Sequence, residues 1–441
     1  MLTDQVGRAL ARPTAERRDL AYWGLAGQIL ALVFLQKFVV PIGGIPISVP
    51  ILTLYAWLAL MLLQGRLNSS GPRMLLVGLL FAATTVSQVF VAQPLSLLSY
   101  LQFLTLYLPF IFVWRVSRET HLRLMNVFQN AMLVGAAMVF LQLAWQAARG
   151  LGNMPNLEVV SPHSWLLQGY NYAAPIAWGD KFERPNGLFF LEPSFASSFL
   201  ACALLIELMH FRRLWRVLVY VGALLGTVAA TGVVVVAVAA VPLLARENLR
   251  VAPFTLLAGA VGAAAAFWTG ALDRFTNRVA ELNNPESSGW QRLIGSLIEL
   301  RKVYASETMN PFSGIGAGNS PKGYVSLWPV AKMMIEYGVV PGVLLLAMIV
   351  VAMWGSLNAP LALGLFVAFN FTGGFLLVPP SVLQIIVLTT LLRAEAPAAE
   401  NARQAPRRAP YSPPARPLVR SSPDVARLRV RQRPPDASAP S

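Results

Sequence analysis

Apolar runs of about twenty residues, broken by short polar turns, fill most of the chain from Leu20 to Arg393. An α-helix needs a run of about that length to cross a hydrocarbon core ~30 Å thick. Alternating segments of about ten residues, the mark of an outer-membrane barrel, do not occur. The pattern predicts spans at 20–41, 46–64, 74–92, 95–114, 124–147, 187–210, 214–230, 232–245, 251–270, 328–354, 359–378 and 381–393, about twelve in all. The 214–245 pair also reads as one bent unit around Thr231-Gly232. Two long polar stretches, 148–186 and 271–327, interrupt the series. Within the second, Leu293, Ile294, Leu297, Ile298 and Leu300 share a helical face between Trp290 and Ser306. That spacing predicts an amphipathic helix lying at the membrane surface. From residue 394 to 441 the composition turns to Ala, Pro, Arg and Ser, and no apolar period survives, so a disordered tail is expected.

The fold class is therefore all-α: a polytopic helical membrane protein. A basic N-terminus (1–19) precedes a transmembrane domain (20–393) with two long loops, and the tail (394–441) follows. Composition agrees, with 56% hydrophobic residues, 12% charged residues and a mean hydropathy of +0.57. Soluble domains carry about 25% charged residues. The first run is too long for a signal-peptide core and no small-residue cleavage site follows it, so it reads as a retained span.

The net charge of +15 does not point to nucleic acid. Arg66 and Arg73, then Arg115, Arg118 and Arg123, then Arg212, Arg213 and Arg216, flank spans on one side only. By the positive-inside bias both termini are cytoplasmic and both long loops lie on the outer face. The basic tail has a functional reading, attraction to anionic membrane lipid, and a plain one, a solvated tail. A lone cysteine, Cys202, excludes an internal disulfide, and His121, His163 and His210 have no metal-ligand spacing.

Candidate chemistry gathers on the outer side. The segment Arg184-Pro185-Asn186-Gly187-Leu188-Phe189-Phe190-Leu191-Glu192-Pro193-Ser194 joins the first long loop to a span. Pro193 suits the first position of a helix, and the positive end of that helix dipole attracts the Glu192 carboxylate before it. Charges at a lipid boundary are costly and tend to be kept for function, although a cap (Glu192) and an interfacial anchor (Arg184) explain the same residues. Arg184, Arg274, Arg278, Arg292 and Arg301 run against the charge bias, and guanidinium forks suit phosphate. Surface ion pairing with nearby glutamates is their alternative role. A metal-free glycosyl transfer needs one group to take a proton from the acceptor hydroxyl; Glu192 is the first candidate and His163, in the loop, the second. Lys332 and Glu336 are four residues apart and share a helix face, so an ion pair is expected there alongside a supporting role. Gly314, Gly316 and Gly318 are spaced to form an anion nest from backbone amides, or a flexible turn. Loop aromatics such as Trp165, Tyr170 and Trp328 suit sugar stacking or an ordinary interfacial belt.

The Arg184–Ala196 segment, R-P-N-G-L-F-F-L-E-P-S-F-A, resembles the R-x-x-G-x-F-x-E-P-S signature of Wzy-type polysaccharide polymerases. The segment Asn310-Pro311-Phe312-Ser313-Gly314-Ile315-Gly316-Ala317-Gly318, followed by Glu336-Tyr337-Gly338, is similar to their N-P-x-x-G-x-G…E-x-G ending. Of the paired Arg-x10-Gly repeats in some members, only Arg278 to Gly289 has the spacing. The resemblance covers about residues 20–393 and is nearest to exopolysaccharide polymerases of the xanthan or acetan kind. It implies an inverting, metal-independent transfer without a cofactor, at the periplasmic face of a bacterial inner membrane. The implied donor and acceptor are polyprenyl-pyrophosphate-linked oligosaccharides. Arg184, Arg278 and Arg292 would meet the pyrophosphate and Glu192 would act as base. A chain-length regulator and a flippase of the same pathway would be partners. Two alternatives remain open at this point: an O-antigen ligase passing glycan to lipid A core or protein, and a flippase or transporter for the lipid-linked sugar. A transporter would show repeat symmetry and charges near the midplane, and the sequence shows neither.

Overall fold

The computed structural model describes residues 20–43, 45–91, 94–170, 174–175, 181–246, 290–306, 310–320 and 327–395. The 251–270 span, Arg274, Arg278, the N-terminus and the tail from residue 396 lie outside the described residues.

Most apolar runs form helices. In chain order these are α1 (Leu20–Phe34), α2 (Val49–Leu63), α3 (Gly71–Val89), α4 (Leu97–Tyr107), α5 (Arg118–Arg149), α6 (Pro193–Ile206), α7 (Leu214–Gly226) and α8 (Ala230–Arg246). After the second long loop come α9 (Ser296–Ala305), α10 (Pro329–Tyr337), α11 (Val339–Met353), α12 (Ala359–Ala368) and α13 (Pro379–Ile385). Their starts follow simple rules. Proline occupies one of the first two positions of α2, α3, α6, α10, α12 and α13, where its missing N–H costs no intrahelical bond. Ser96 and Ser117 cap α4 and α5, accepting the amides of Ser99 and Thr120.

Among the described residues, three helical segments are long and apolar enough to cross a membrane: Gly71–Val89, Arg118–Arg149 and Pro193–Phe211. Most of the other apolar helices are shorter than the runs that predicted them. The reasons are local. The first run leaves the helix at Phe34, and an antiparallel hairpin, β1 (Val39–Ile42) with β2 (Ile45–Ser48), leads into α2. The 328–354 run breaks at Gly338, whose φ of +97° ends α10 and turns the chain into α11. The expected surface helix forms as a π turn, Gln291–Gly295, followed by α9. Its Ser296 and Glu299 face inward, whereas Ile294 and Leu297 are exposed.

The core is rich in aromatics: Phe103, Tyr107, Phe110, Phe128, Phe190, Phe199, Tyr220 and Tyr337 are fully buried. Large apolar side chains are also exposed on most helices, Trp23, Leu63, Leu75, Val86, Val241 and Val343 among them. An apolar coat of that extent is unsuited to water and fits lipid. Helices α6 and α8 approach at backbone distance. A Cβ on Gly232 would lie 2.2 Å from the Ser197 carbonyl oxygen, and the Gly232 amide donates to Ser197 Oγ at 2.9 Å.

One end of the bundle collects the arginine-flanked turns. There β4 (Phe112–Val116) pairs antiparallel with β3 (Asn68–Ser69) and parallel with β7 (Leu392–Ala394). The buried Arg73 locks this end, donating to the carbonyls of Phe112 (3.2 Å), Thr390 (2.9 Å) and Ala352 (2.6 Å). The first long loop packs on the hairpin. Leu166 bridges Phe38, and the buried Lys37 ammonium sits 2.7 Å from Glu158.

Candidate active site

The segment between Arg184 and Ser194 is held by two glutamines one turn apart on α5. Gln146 grips the backbone of Glu183 from both sides: its Nε2 donates to the Glu183 carbonyl at 2.8 Å, and its Oε1 accepts the Glu183 amide at 3.0 Å. Gln142 donates to Asn186 Oδ1 at 3.0 Å and accepts the Gly187 amide at 2.8 Å. Asn186 is fully buried, and its Oδ1 also accepts the Leu188 amide at 3.0 Å. These bonds shape a tight turn in which Gly187 and Leu188 both have φ near +65°. A Cβ at Gly187 would meet the Phe190 ring at 3.0 Å and the Gly135 carbonyl at 3.2 Å. Phe190 fills the core and Phe189 packs edge-on against Phe34, with centroids 4.9 Å apart.

Arg184 lies at the start of this turn in a short ladder, β6 (Glu183–Arg184) against β5 (Ala174–Pro175), and is half-buried. Burial pushes the Glu183 carboxyl above its usual value, partly offset by a bond from the Met154 amide. Glu192 is the N-cap residue of α6. Its backbone is extended (φ −145°, ψ 165°), and its carbonyl accepts the Phe195 and Ala196 amides at 3.1 and 3.2 Å. Its side chain makes no cap bond to the helix; instead Oε2 accepts the Ser194 hydroxyl at 3.2 Å. The carboxylate is thus held at the helix mouth and half-buried.

Ser194 links Glu192 to a polar cavity inside the bundle. The cavity encloses about 30 Å³ between α6, α8, α12 and α13, with Ser198, Thr231, Ser381 and Gln384 contributing polar groups. That is room for about two ordered waters. Ser198 Oγ donates to Gln384 Oε1 at 3.1 Å, and Gln384 Nε2 reaches Cys202 Sγ at 3.0 Å. Above it Phe195 stacks on Phe375, with centroids 6.2 Å apart, and meets Tyr170 of the first loop edge-on at 6.4 Å. Trp328, at the start of α10, meets Phe371 edge-on at 5.4 Å. The connection 371–375 therefore touches Trp328 at the start of α10 with one end and Phe195 of α6 with the other.

In that pair Lys332 Nζ lies 2.8 Å from Glu336 Oε1, which also accepts the Ser320 hydroxyl. Glu336 is fully buried, and its Oε2 has no hydrogen-bond partner. The glycine segment wraps the end of α10. The Gly314, Ile315, Gly316 and Ala317 amides donate to the Asn310, Ile335 and Glu336 carbonyls and to Gln88 Oε1, respectively. As anion donors Gly314 and Gly316 are therefore already used. What the glycines supply is clearance: a Cβ would sit 2.6 Å from the Glu336 carbonyl carbon at Gly314, 2.9 Å from Val91 at Gly316 and 2.7 Å from Ser96 at Gly318. His163 is exposed in a short 3₁₀ turn, as a solvated loop histidine would be. Arg292 falls in the π turn before α9; its side chain and Arg278 are outside the described set.

Sequence reasoning missed Gln142, Gln146, Asn186 and the cavity serines. Their signal was present as two amides at i and i+4 inside an apolar run, and as the hydroxyl-rich Pro193-Ser194-Phe195-Ala196-Ser197-Ser198 stretch.

An apolar-coated helical bundle, with a charged and hydrogen-bonded turn clamped to its longest helix, defines a membrane-integral protein with a built polar site. Residues 28–394 match the WcaD colanic acid polymerase family, a Wzy-like group of O-antigen and exopolysaccharide polymerases, and the chain belongs to that family. It is accordingly a polymerase of the glycosyltransferase type, joining repeat units into exopolysaccharide. No curated protein and no solved structure matches the chain.

Proposed function

We propose that the chain polymerises polyprenyl-pyrophosphate-linked oligosaccharides at the periplasmic face of the inner membrane, by inverting glycosyl transfer at the Arg184–Glu192 turn. The acceptor sugar's hydroxyl oxygen attacks the anomeric carbon of the donor chain from the face opposite its pyrophosphate. The new C–O bond forms as the bond to pyrophosphate breaks. Glu192 takes the hydroxyl proton, and polyprenyl pyrophosphate departs. Arg184 faces the departing diphosphate, and Arg278 and Arg292 are further donors from the second loop. A guanidinium suits that task because it forks onto phosphate oxygens and stays charged. Donors fixed in advance stabilise the charge that develops on the leaving group.

The observation that carries this reading is the clamp. Gln142 and Gln146 fix the turn between an arginine and a carboxylate, so the carboxylate stands at a helix mouth beside a polar cavity. Fixed geometry is what proximity catalysis requires. Tyr170, half-buried where it packs against Phe195, offers an aromatic face near Glu192 for a sugar ring. The direct experiment is chromatography of lipid-linked intermediates from a deletion strain carrying either the wild-type chain or Glu192→Gln. Accumulated single repeat units with Glu192→Gln support the reading; long lipid-linked chains indicate a ligase instead.

A further inference from the structure

The arginine-rich end of the bundle carries a second cavity, unrelated to the Glu192 turn. It encloses about 520 Å³ at the N-terminus of α5, bounded by the ends of β4 and β7. His121, in the first turn of α5, lines it and is only 3% exposed, yet neither ring nitrogen has a hydrogen-bond partner. A neutral imidazole always carries one N–H donor and one lone pair, and leaving such groups unmatched in a protein interior is costly. Buried polar groups are rarely left so, and an exception calls for an explanation.

Asn358 lies near the His121 ring but is engaged elsewhere. His210 packs edge-on against His121, with centroids 5.3 Å apart, but its Nε2 lies 2.7 Å from Asn358 Oδ1. The Asn358 amide is turned to the Leu388 carbonyl at 2.8 Å. Ser117 already accepts the Thr120 amide. Arg118, beside His121 in the same first turn, lines the cavity and is exposed. Against this cation, the two imidazoles and a positive helix end, Glu395 is the one carboxylate among the lining residues. The opposite wall is apolar, formed by Met209, Leu243 and Leu357.

We propose that this cavity binds a phosphate group, held by the Arg118 guanidinium and the ring N–H of His121 beside the positive end of α5. A helix N-terminus beside an arginine is a natural phosphate seat. The apolar wall accommodates the glycerol and acyl carbons of a phospholipid; a free phosphate would use the polar half alone.

The test is equilibrium binding to the purified full chain in neutral detergent, with radiolabelled dioctanoyl phosphatidic acid and inorganic phosphate as separate probes. The wild-type chain should bind at least one probe saturably. Arg118→Ala, at an exposed position that does not threaten folding, should weaken that binding at least tenfold, and His121→Gln likewise. Saturation by phosphatidic acid alone identifies the source as lipid; equal affinity for inorganic phosphate identifies a free anion. Absence of saturable binding of either probe, or wild-type affinity in Arg118→Ala, overturns the proposal.

Discussion

Gln142 and Asn186, 44 residues apart in sequence, are joined by a buried hydrogen bond of 3.0 Å, and the same glutamine accepts the next amide, of Gly187. This pairing ties the conformation of the Arg184–Ser194 turn to the C-terminal part of α5. Gln142→Ala removes one bond to Asn186 and the partner of the Gly187 amide, a loss of about 1–3 kcal/mol. Polymer yield should fall sharply while the protein still reaches the membrane, as immunoblots of membrane fractions against polysaccharide yield would show. Unchanged yield at equal protein level would remove the clamp from the argument.

Glu192→Gln keeps the size of the side chain and an acceptor for Ser194 but removes the carboxylate proposed as base. Removing a general base slows transfer by about 10²–10⁴-fold. Arg184→Ala should also reduce turnover, and Arg184→Lys should rescue it only in part, since an ammonium cannot fork onto a phosphate. Rates of polymer formation from lipid-linked repeat units measure all three; a wild-type rate in Glu192→Gln would sink its assignment.

Gly314→Ala places a methyl carbon 2.6 Å from backbone atoms of α10, at a φ of +67°. Strain of that kind costs about 1–3 kcal/mol before the clash is counted. A lowered melting temperature in detergent is the expected result. Gly71→Ala, where the added carbon meets nothing within 4 Å, is the matched control.

Arg73 should matter for stability rather than for the reaction. Its guanidinium holds three carbonyls at the far end of the bundle. Arg73→Ala removes charge-assisted bonds worth about 1.5–3 kcal/mol each when buried. Melting should drop steeply, while any protein that remains folded retains its KM for the lipid-linked substrate.

Glu183 gives a pH signature. Its folded pKa is raised above the ordinary 4.5 by burial. The stability it contributes is therefore present below that ordinary value and is lost as pH rises through the folded pKa. Between about pH 4 and pH 7 the melting temperature of Glu183→Gln should decline less than that of the wild-type chain. A wild-type slope in the variant would show that another group sets the trend.

Much of the helical skeleton was legible because apolar runs and prolines are local signals. Pro193 marks the start of α6, and the four-residue spacing of Lys332 and Glu336 marks their ion pair. What escaped depends on distant partners. The β1–β2 hairpin takes the end of one apolar run and the start of the next, both of which read as helix, and the parallel pairing of Trp114 with Leu392 joins positions far apart in sequence. The amides of Gln142 and Gln146 look like tolerated polar residues until Glu183 and Asn186 are placed opposite them. The closely spaced glycines read equally as anion donors or as packing residues; only the carbonyls of Asn310 and Glu336 decide where two of their amides go.

The contact between Gly232 and Ser197 has a mechanical consequence. Two backbones interlocked with no spare volume cannot slide or tilt separately, so α6 and α8 respond to force as a single rod. The acid at the tip of α6 rides on that rod and has no hinge of its own. On the proposed mechanism, growing chains of any length would meet a stationary anvil, and translocation after each addition would fall to the loops and to the lipid.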